Sequence, residues 1–337
     1  MDKRDNCFSL IRLVVALSVV YQHAFNSGIR ITYDVYKYLA WIDKVPVFFF
    51  ISAYSIMLSL DGKKVAFKEF SLKRFFRLYP ELWIVILLEV LIFIIQYPYL
   101  LKNISFYLWI FAQLTFFQFW TPECLRFYGN GTPNGSLWTN IVFIQFYVII
   151  YYLSNKIKKL SISKDIIILL FLICVNSGIS LLDGNINETL YKLILQTLLP
   201  YLYMFYFGII LYKYSDKLIP ICQKYFWLIF IVFILASEFN YMTNFIPHTS
   251  NTGSIIHVLM CCFFFFAFGF RFKKLKLKND YSYGIYIFHM PIINFFVQNK
   301  IIDNGYICLL VVYILSIVFA IISNKLSKKI IKKLTIV

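Results

Sequence analysis

Apolar residues along this chain run in long blocks, not in the alternation of a strand or the narrow stripe of a surface helix. Ten blocks are long enough to cross a bilayer: about 8–26, 43–60, 79–97, 137–154, 165–182, 189–212, 224–241, 254–271, 282–299 and 306–323. Lipid offers no hydrogen bonds, so a spanning segment must satisfy its own backbone, and a helix does so. The pattern predicts an all-α, polytopic membrane protein with about ten transmembrane helices. At 337 residues there is little room beyond helices and loops, so a single membrane-embedded domain, 1–337, is expected.

An eleventh apolar block, "SFYLWIFAQLTFFQFW" at 105–120, is decided by charge. If it does not cross, 25 of the 33 Lys and Arg fall on one side, in clusters at 3–4, 63–77, 156–164, 213–224, 271–278 and 325–333. The other side then holds 7, namely Arg30, Lys37, Lys44, Lys102, Arg126, Lys192 and Lys300, and Arg12 lies in the membrane. If the block crosses, every later cluster changes side and the positive-inside bias largely disappears. It is therefore expected to be re-entrant or interfacial on the outer side, running into the loop "YGNGTPNGS" (128–136), with both termini cytoplasmic.

Composition supports the class. Hydrophobic residues make up 61% and charged residues 15%, against about 25% charge in a soluble domain; the mean hydropathy is +0.73. The net charge of +17 sits in interhelical clusters, the pattern of cytoplasmic loops, so nucleic acid is not expected as a partner. Lys3 and Arg4 before an apolar run imitate a signal peptide, but no A-x-A-like site follows, and a retained first span is expected. The seven cysteines have neither metal-ligand nor disulfide spacing, and no metal site is expected. No internal repeat is evident.

Ionisable residues inside the blocks carry the candidate chemistry. Arg12 and His23 are eleven residues apart, close to a whole number of turns, so they share a helix face roughly 16 Å apart along the axis. Such a pair suggests a functional path. His23 is a candidate general base, because neutral imidazole accepts a proton near neutral pH. Each also has an ordinary reading: Arg12 snorkelling to the cytoplasmic headgroups, His23 hydrogen-bonded among helix ends. Before the third block, "LKRFFRLYP" places Arg74 and Arg77 three apart, neighbours if helical, with Pro80 marking a turn or the first helical residues. The pair is either an ordinary positive-inside cluster or a clamp for phosphate, which Arg binds bidentately. Ser52 and Tyr54 lie in "KVPVFFFISAYSI", and Gln145 needs a buried partner in "GSLWTNIVFIQFYVI". His289, in "DYSYGIYIFHMPI", lies about a third of the way in from the cytoplasm.

Together these motifs resemble the acyltransferase-3 family of integral-membrane acyltransferases. They are R-x10-H in the first span, V-P-V-F-F-F-I-S in the second, K-R-x-x-R-L-Y-P before the third, L-W-T…Q-F-Y in the fourth and S-Y-G-I-Y-I-F-H-M-P near the end. The similarity covers roughly residues 5–325. The resemblance implies an inner-membrane O-acyltransferase that moves an acyl group, usually acetyl, from cytoplasmic acyl-CoA to a carbohydrate hydroxyl. The acceptor would be a surface polysaccharide (O-antigen, capsule or exopolysaccharide) or its lipid-linked precursor. It implies a catalytic role for His23 and acyl-CoA binding by Arg12, Arg74 and Arg77; Ser52, Tyr54 and His289 are candidate donors to the oxyanion.

Two positions depart from the family pattern. An acidic residue common in the second span is Pro46 here, and a Glu common in the fourth is Phe143. The carboxylate partner of His23 is left open among Asp34, Asp43 and Glu89. A direct transfer and an acyl-enzyme relay also stay open. From the polar residues alone, a lipid-linked sugar flippase or exporter, or a polysaccharide polymerase, would fit as well.

Overall fold

The computed structural model describes residues 2–62, 65–243 and 254–334, apart from the side chains of Tyr33, Asp34, Tyr241, Met242, Thr243, Lys333 and Leu334. Lys63 and Lys64 of the expected basic cluster lie outside the described residues. The described chain is helical and carries no strand. In order it forms α1 (Phe8–Asn26), α2 (Tyr33–Ala40), α3 (Lys44–Ser59), α4 (Phe67–Gln96), α5 (Ile104–Leu114), α6 (Trp138–Lys158) and α7 (Ile162–Ser180). There follow α8 (Glu188–Ile194), α9 (Leu202–Lys213), α10 (Ser215–Lys224), α11 (Phe226–Thr243), α12 (Ile255–Arg271), α13 (Ser282–Asn299) and α14 (Gly305–Leu334).

All ten apolar blocks are helical, and the protein is a multi-pass membrane protein. By length and hydropathy, six described helices qualify as spans, or eight if each of two bent pairs crosses as one. The bends are 54° between Glu188–Ile194 and Leu199–Lys213, and 86° between Ser215–Lys224 and Phe226–Asn240. Gln145 finds its partners at the first bend: its amide donates to the Gln196 carbonyl and accepts from the Leu198 N–H, both at 2.9 Å. The side chain thus satisfies backbone groups that the break frees. The 105–120 block is helical only over the eleven residues of α5, which rise roughly 16 Å, about half of a hydrocarbon core. It is too short to cross.

The third block starts earlier than its hydropathy suggests. α4 runs thirty residues straight through Pro80, which lacks the N–H that would bond to the carbonyl of Phe76. Tertiary bonds on both sides of Pro80 hold the helix together. The Tyr79 hydroxyl donates to the Thr115 carbonyl at 2.8 Å, and Glu81 accepts from Asn324 Nδ2 at 2.9 Å.

The chain forms two compact units. The first comprises Met1–Val15, Lys37–Phe67 and Val142–Asn279; the second comprises Ala16–Tyr36, Lys68–Ile141 and Asp280–Val337. In the first unit α3 lies against α9 with Gly208 at the contact, where a Cβ would come within 2.5 Å of the Phe50 carbonyl oxygen. A hydrogen in place of a side chain lets the backbones meet, which is how helices pack where lipid removes the hydrophobic drive. In the second unit α13 meets α14 at Gly284, where a Cβ would stand 2.7 Å from that of Ala320. An aromatic cluster of Phe93, Phe106, Trp109 and Tyr128 ties α4, α5 and the start of the 128–136 loop together.

Candidate functional site

The second unit brings two sequence candidates into contact. His23 Nδ1, near the end of α1, lies 2.8 Å from His289 Nε2 in α13. His289 is completely buried and His23 partly so. Depths counted along the two helices separate these residues, with His23 near the outer end of its span and His289 a third of the way in from the inner end. That count assumes that both helices start at one level; the contact shows that they do not. His289 Nδ1 is buried and makes no hydrogen bond among the described residues. Across the contact between the two histidines one ring donates and the other accepts; the arrangement in which His23 Nδ1 donates leaves its Nε2 without a proton, as a base requires.

A second polar system, unforeseen from sequence, holds the 128–136 loop against α13. Asn294, fully buried, donates to the carbonyls of Thr132 (2.9 Å) and Pro133 (2.8 Å) and accepts from the Asn130 N–H at 3.1 Å. Gln298 accepts from the Gly129 N–H at 2.9 Å. Gly129 has φ +54°, and a Cβ there would collide with Asn294, so the turn requires glycine. Asn130 Nδ2 then donates to Ser27 Oγ at 2.5 Å, and Ser27 in turn donates to the carbonyl of His23 at 2.6 Å. The loop is thereby linked, in two hydrogen bonds, to the backbone of His23. The signal in the sequence was an Asn five residues after His289 in an apolar run, which needs partners as much as an intramembrane His does.

Glu89, a carboxylate candidate for His23, accepts from Asn134 Nδ2 at 2.7 Å, and the same amide donates to the Ile287 carbonyl at 2.9 Å. Asn134 also accepts from Ser136. Beside this group the Tyr286 hydroxyl accepts from Thr139 Oγ1 at 3.2 Å. Arg74 and Arg77 are one turn apart on the first turns of α4, so they are neighbours. Arg77 is exposed, and Arg74 lies over the Phe70 ring at 5.1 Å.

The other candidates belong to the first unit. Arg12 shares the unbroken helix α1 with His23, and its Nη2 donates to Ser55 Oγ at 3.1 Å. Ser52 is half-buried. Tyr54 is fully buried among aromatic rings, and its hydroxyl donates to the Lys3 carbonyl at 3.3 Å. Asp43 is engaged by His257 Nδ1 at 2.6 Å, and His257 Nε2 lies 3.0 Å from Ser237 Oγ. The Asp34 side chain falls outside the described residues.

The Asp43–His257–Ser237 row has the residue types and distances of a nucleophilic triad. Ser237, however, is 1% exposed and donates to the carbonyl of Phe233, one turn back on α11, at 2.8 Å. A hydroxyl committed to its own helix and closed to solvent is a brace that ties the start of α3 to α11 and α12. Among the described residues, no group of three or more His, Cys, Asp or Glu side chains could hold a metal ion.

The described chain is a helical membrane protein that brings histidines from two distant helices into hydrogen-bond contact. The family model of an acyltransferase domain, Acyl_transf_3, matches residues 5–324, and the chain belongs to the acyltransferase-3 family. No curated protein and no solved structure matches it. It is thus a membrane acyltransferase, and membership sets aside the transport and polymerase readings.

Proposed function

We propose that the protein is an O-acetyltransferase of the inner membrane, with ten crossings and both termini cytoplasmic, acting on a surface polysaccharide or its lipid-linked precursor. Acetyl-CoA is the donor, entering from the cytoplasm with its phosphates on Arg74, Arg77 and Arg12. His23 Nε2 takes the proton of the acceptor hydroxyl as its oxygen attacks the thioester carbonyl. The C–O bond forms, the C–S bond breaks, and the proton passes from His23 to the departing CoA thiolate. The observation that carries this reading is the 2.8 Å contact between His23 and His289. It supports a base because a ring bonded through Nδ1 can be held in one tautomer, in a chain where the expected carboxylates are Pro46 and Phe143. His289 is therefore read as the residue that positions His23, and not as an oxyanion donor.

The test is transfer from radiolabelled acetyl-CoA by the purified protein in nanodiscs, with polysaccharide from the source membrane as acceptor. Label appearing as base-labile ester on the polysaccharide is the expected result. Absence of transfer, with acetyl-CoA binding intact, would reject this donor and acceptor pair.

A further inference from the structure

A cleft of about 430 Å³ opens in the second unit beyond the end of α1. Its walls include Ser27, Arg30, Phe296, Lys300 and Asp303. The volume falls within the range of small-ligand pockets, roughly 300–1,000 Å³. Ser27, in the wall of the cleft, follows the candidate base by one turn at the end of α1, and its hydroxyl donates to the His23 carbonyl.

The walls are held in place by close fits. The backbone of Thr32 is pinned at both ends: its N–H donates to the Tyr306 hydroxyl at 3.1 Å and its carbonyl accepts from Tyr21 at 2.9 Å. A Cβ at Gly305 would collide with the Arg30 backbone, so the segment bearing Arg30 sits directly on the first turn of α14. Lys300 ends α13 in the left-handed region, φ 47°, the one described non-glycine residue with positive φ. Such a conformation is costly for a long side chain and clusters at binding sites. The cleft therefore presents two cations and one carboxylate from fixed backbone.

We infer that this cleft is the acceptor subsite and takes an acidic sugar, with its carboxylate on Arg30 and Lys300 and its hydroxyls toward Asp303 and Ser27. The inference rests on the reading of His23 as the base, because it is the adjoining Ser27 that makes this cleft the acceptor's seat. A neutral sugar would leave both cations unanswered. The phosphate of a lipid headgroup could also meet Arg30 and Lys300, so the test includes a lipid arm.

Binding of digalacturonate and of maltose to the full-length protein in nanodiscs, without acyl donor, tests the idea. Wild type should bind digalacturonate in clear preference. In Arg30→Gln/Lys300→Gln protein that affinity should fall at least about tenfold, as expected for lost charged contacts. Equal affinity for the two sugars, or an unchanged double variant, would overturn the proposal. Should the double variant fail to fold, wild-type Lys300 decides: digalacturonate should shield it from an amine-acetylating reagent, read by mass spectrometry. Shielding by added phosphatidylglycerol and not by digalacturonate would make the cleft a lipid seat and end the proposal. Since no acetyl-CoA is present, failure here is distinct from failure of acetyl transfer.

Discussion

His23 Nδ1 and His289 Nε2 stand 2.8 Å apart although 266 residues separate them in the chain. Each histidine alone has a structural explanation. Together they form a hydrogen-bonded pair that can hold one ring in a single tautomer. The ring partner of His23 is a second imidazole, while Glu89 holds Asn134.

His23→Gln separates a base from a structural residue, because Gln keeps hydrogen bonding but cannot take up a proton. Acetyl transfer should fall by roughly 10²–10⁴, the usual worth of general base catalysis, with acetyl-CoA binding retained. Single-turnover transfer measured beside donor binding checks it. Transfer near the wild-type rate in a folded His23→Gln protein would remove the mechanism.

His289→Ala should lower kcat by about ten- to a hundredfold with little change in KM for acetyl-CoA, since it frees the tautomer of His23 without touching the donor. His289→Gln, whose side-chain oxygen can still accept from His23 Nδ1, should recover part of that loss. A purely structural His289 predicts instead that both variants lose thermal stability and activity in proportion.

Arg74→Lys and Arg77→Lys keep charge but lose the bidentate fork. Acetyl-CoA affinity should weaken roughly ten- to a hundredfold in each, as for loss of one charged hydrogen bond. Isothermal titration with the non-transferable thioether analogue of acetyl-CoA reads this directly. Normal affinity in an Arg74→Ala/Arg77→Ala protein would assign the pair to membrane orientation alone.

Gly129→Ala tests the link from the 128–136 loop to the candidate base. The new methyl would meet Asn294 at a positive φ, so the loop should detach from α13. Proteolysis within 128–136 should quicken and acetyl transfer should drop. A Gly129→Ala protein with wild-type protection and transfer would show that the loop does not support the site.

Ser237→Ala distinguishes a brace from an acyl-enzyme relay. As a brace, the serine is dispensable to chemistry and transfer should continue near the wild-type rate. Trapping acetyl on Ser237 in rapid-quench mass spectrometry would establish the relay. His257→Ala should be the harsher change, because it removes a hydrogen-bond partner of the largely buried Asp43 and should lower the melting temperature.

What the sequence determined was whatever depends on local chemistry. Apolar length made each of the ten blocks helical, since lipid leaves the backbone no other solution. Polar residues in those blocks marked His23, Arg12 and His289, because such residues are expensive there unless used. Spacing made Arg74 and Arg77 neighbours, and the family motifs indicated acyl transfer. What only the tertiary structure decided was which polar residues meet. Depth counted along each helix kept His23 and His289 apart, because it carries no information on where one helix starts relative to another. The course of α4 through Pro80 depends on Tyr79 and Glu81 bonding to distant segments, which outweighs a local helix breaker. In the sequence the segment 128–136 is only the loop into which the 105–120 block runs on the outer side. Its docking on Asn294 and Gln298 is a long-range pairing of polar groups, and no local pattern encodes which partner a buried amide will find.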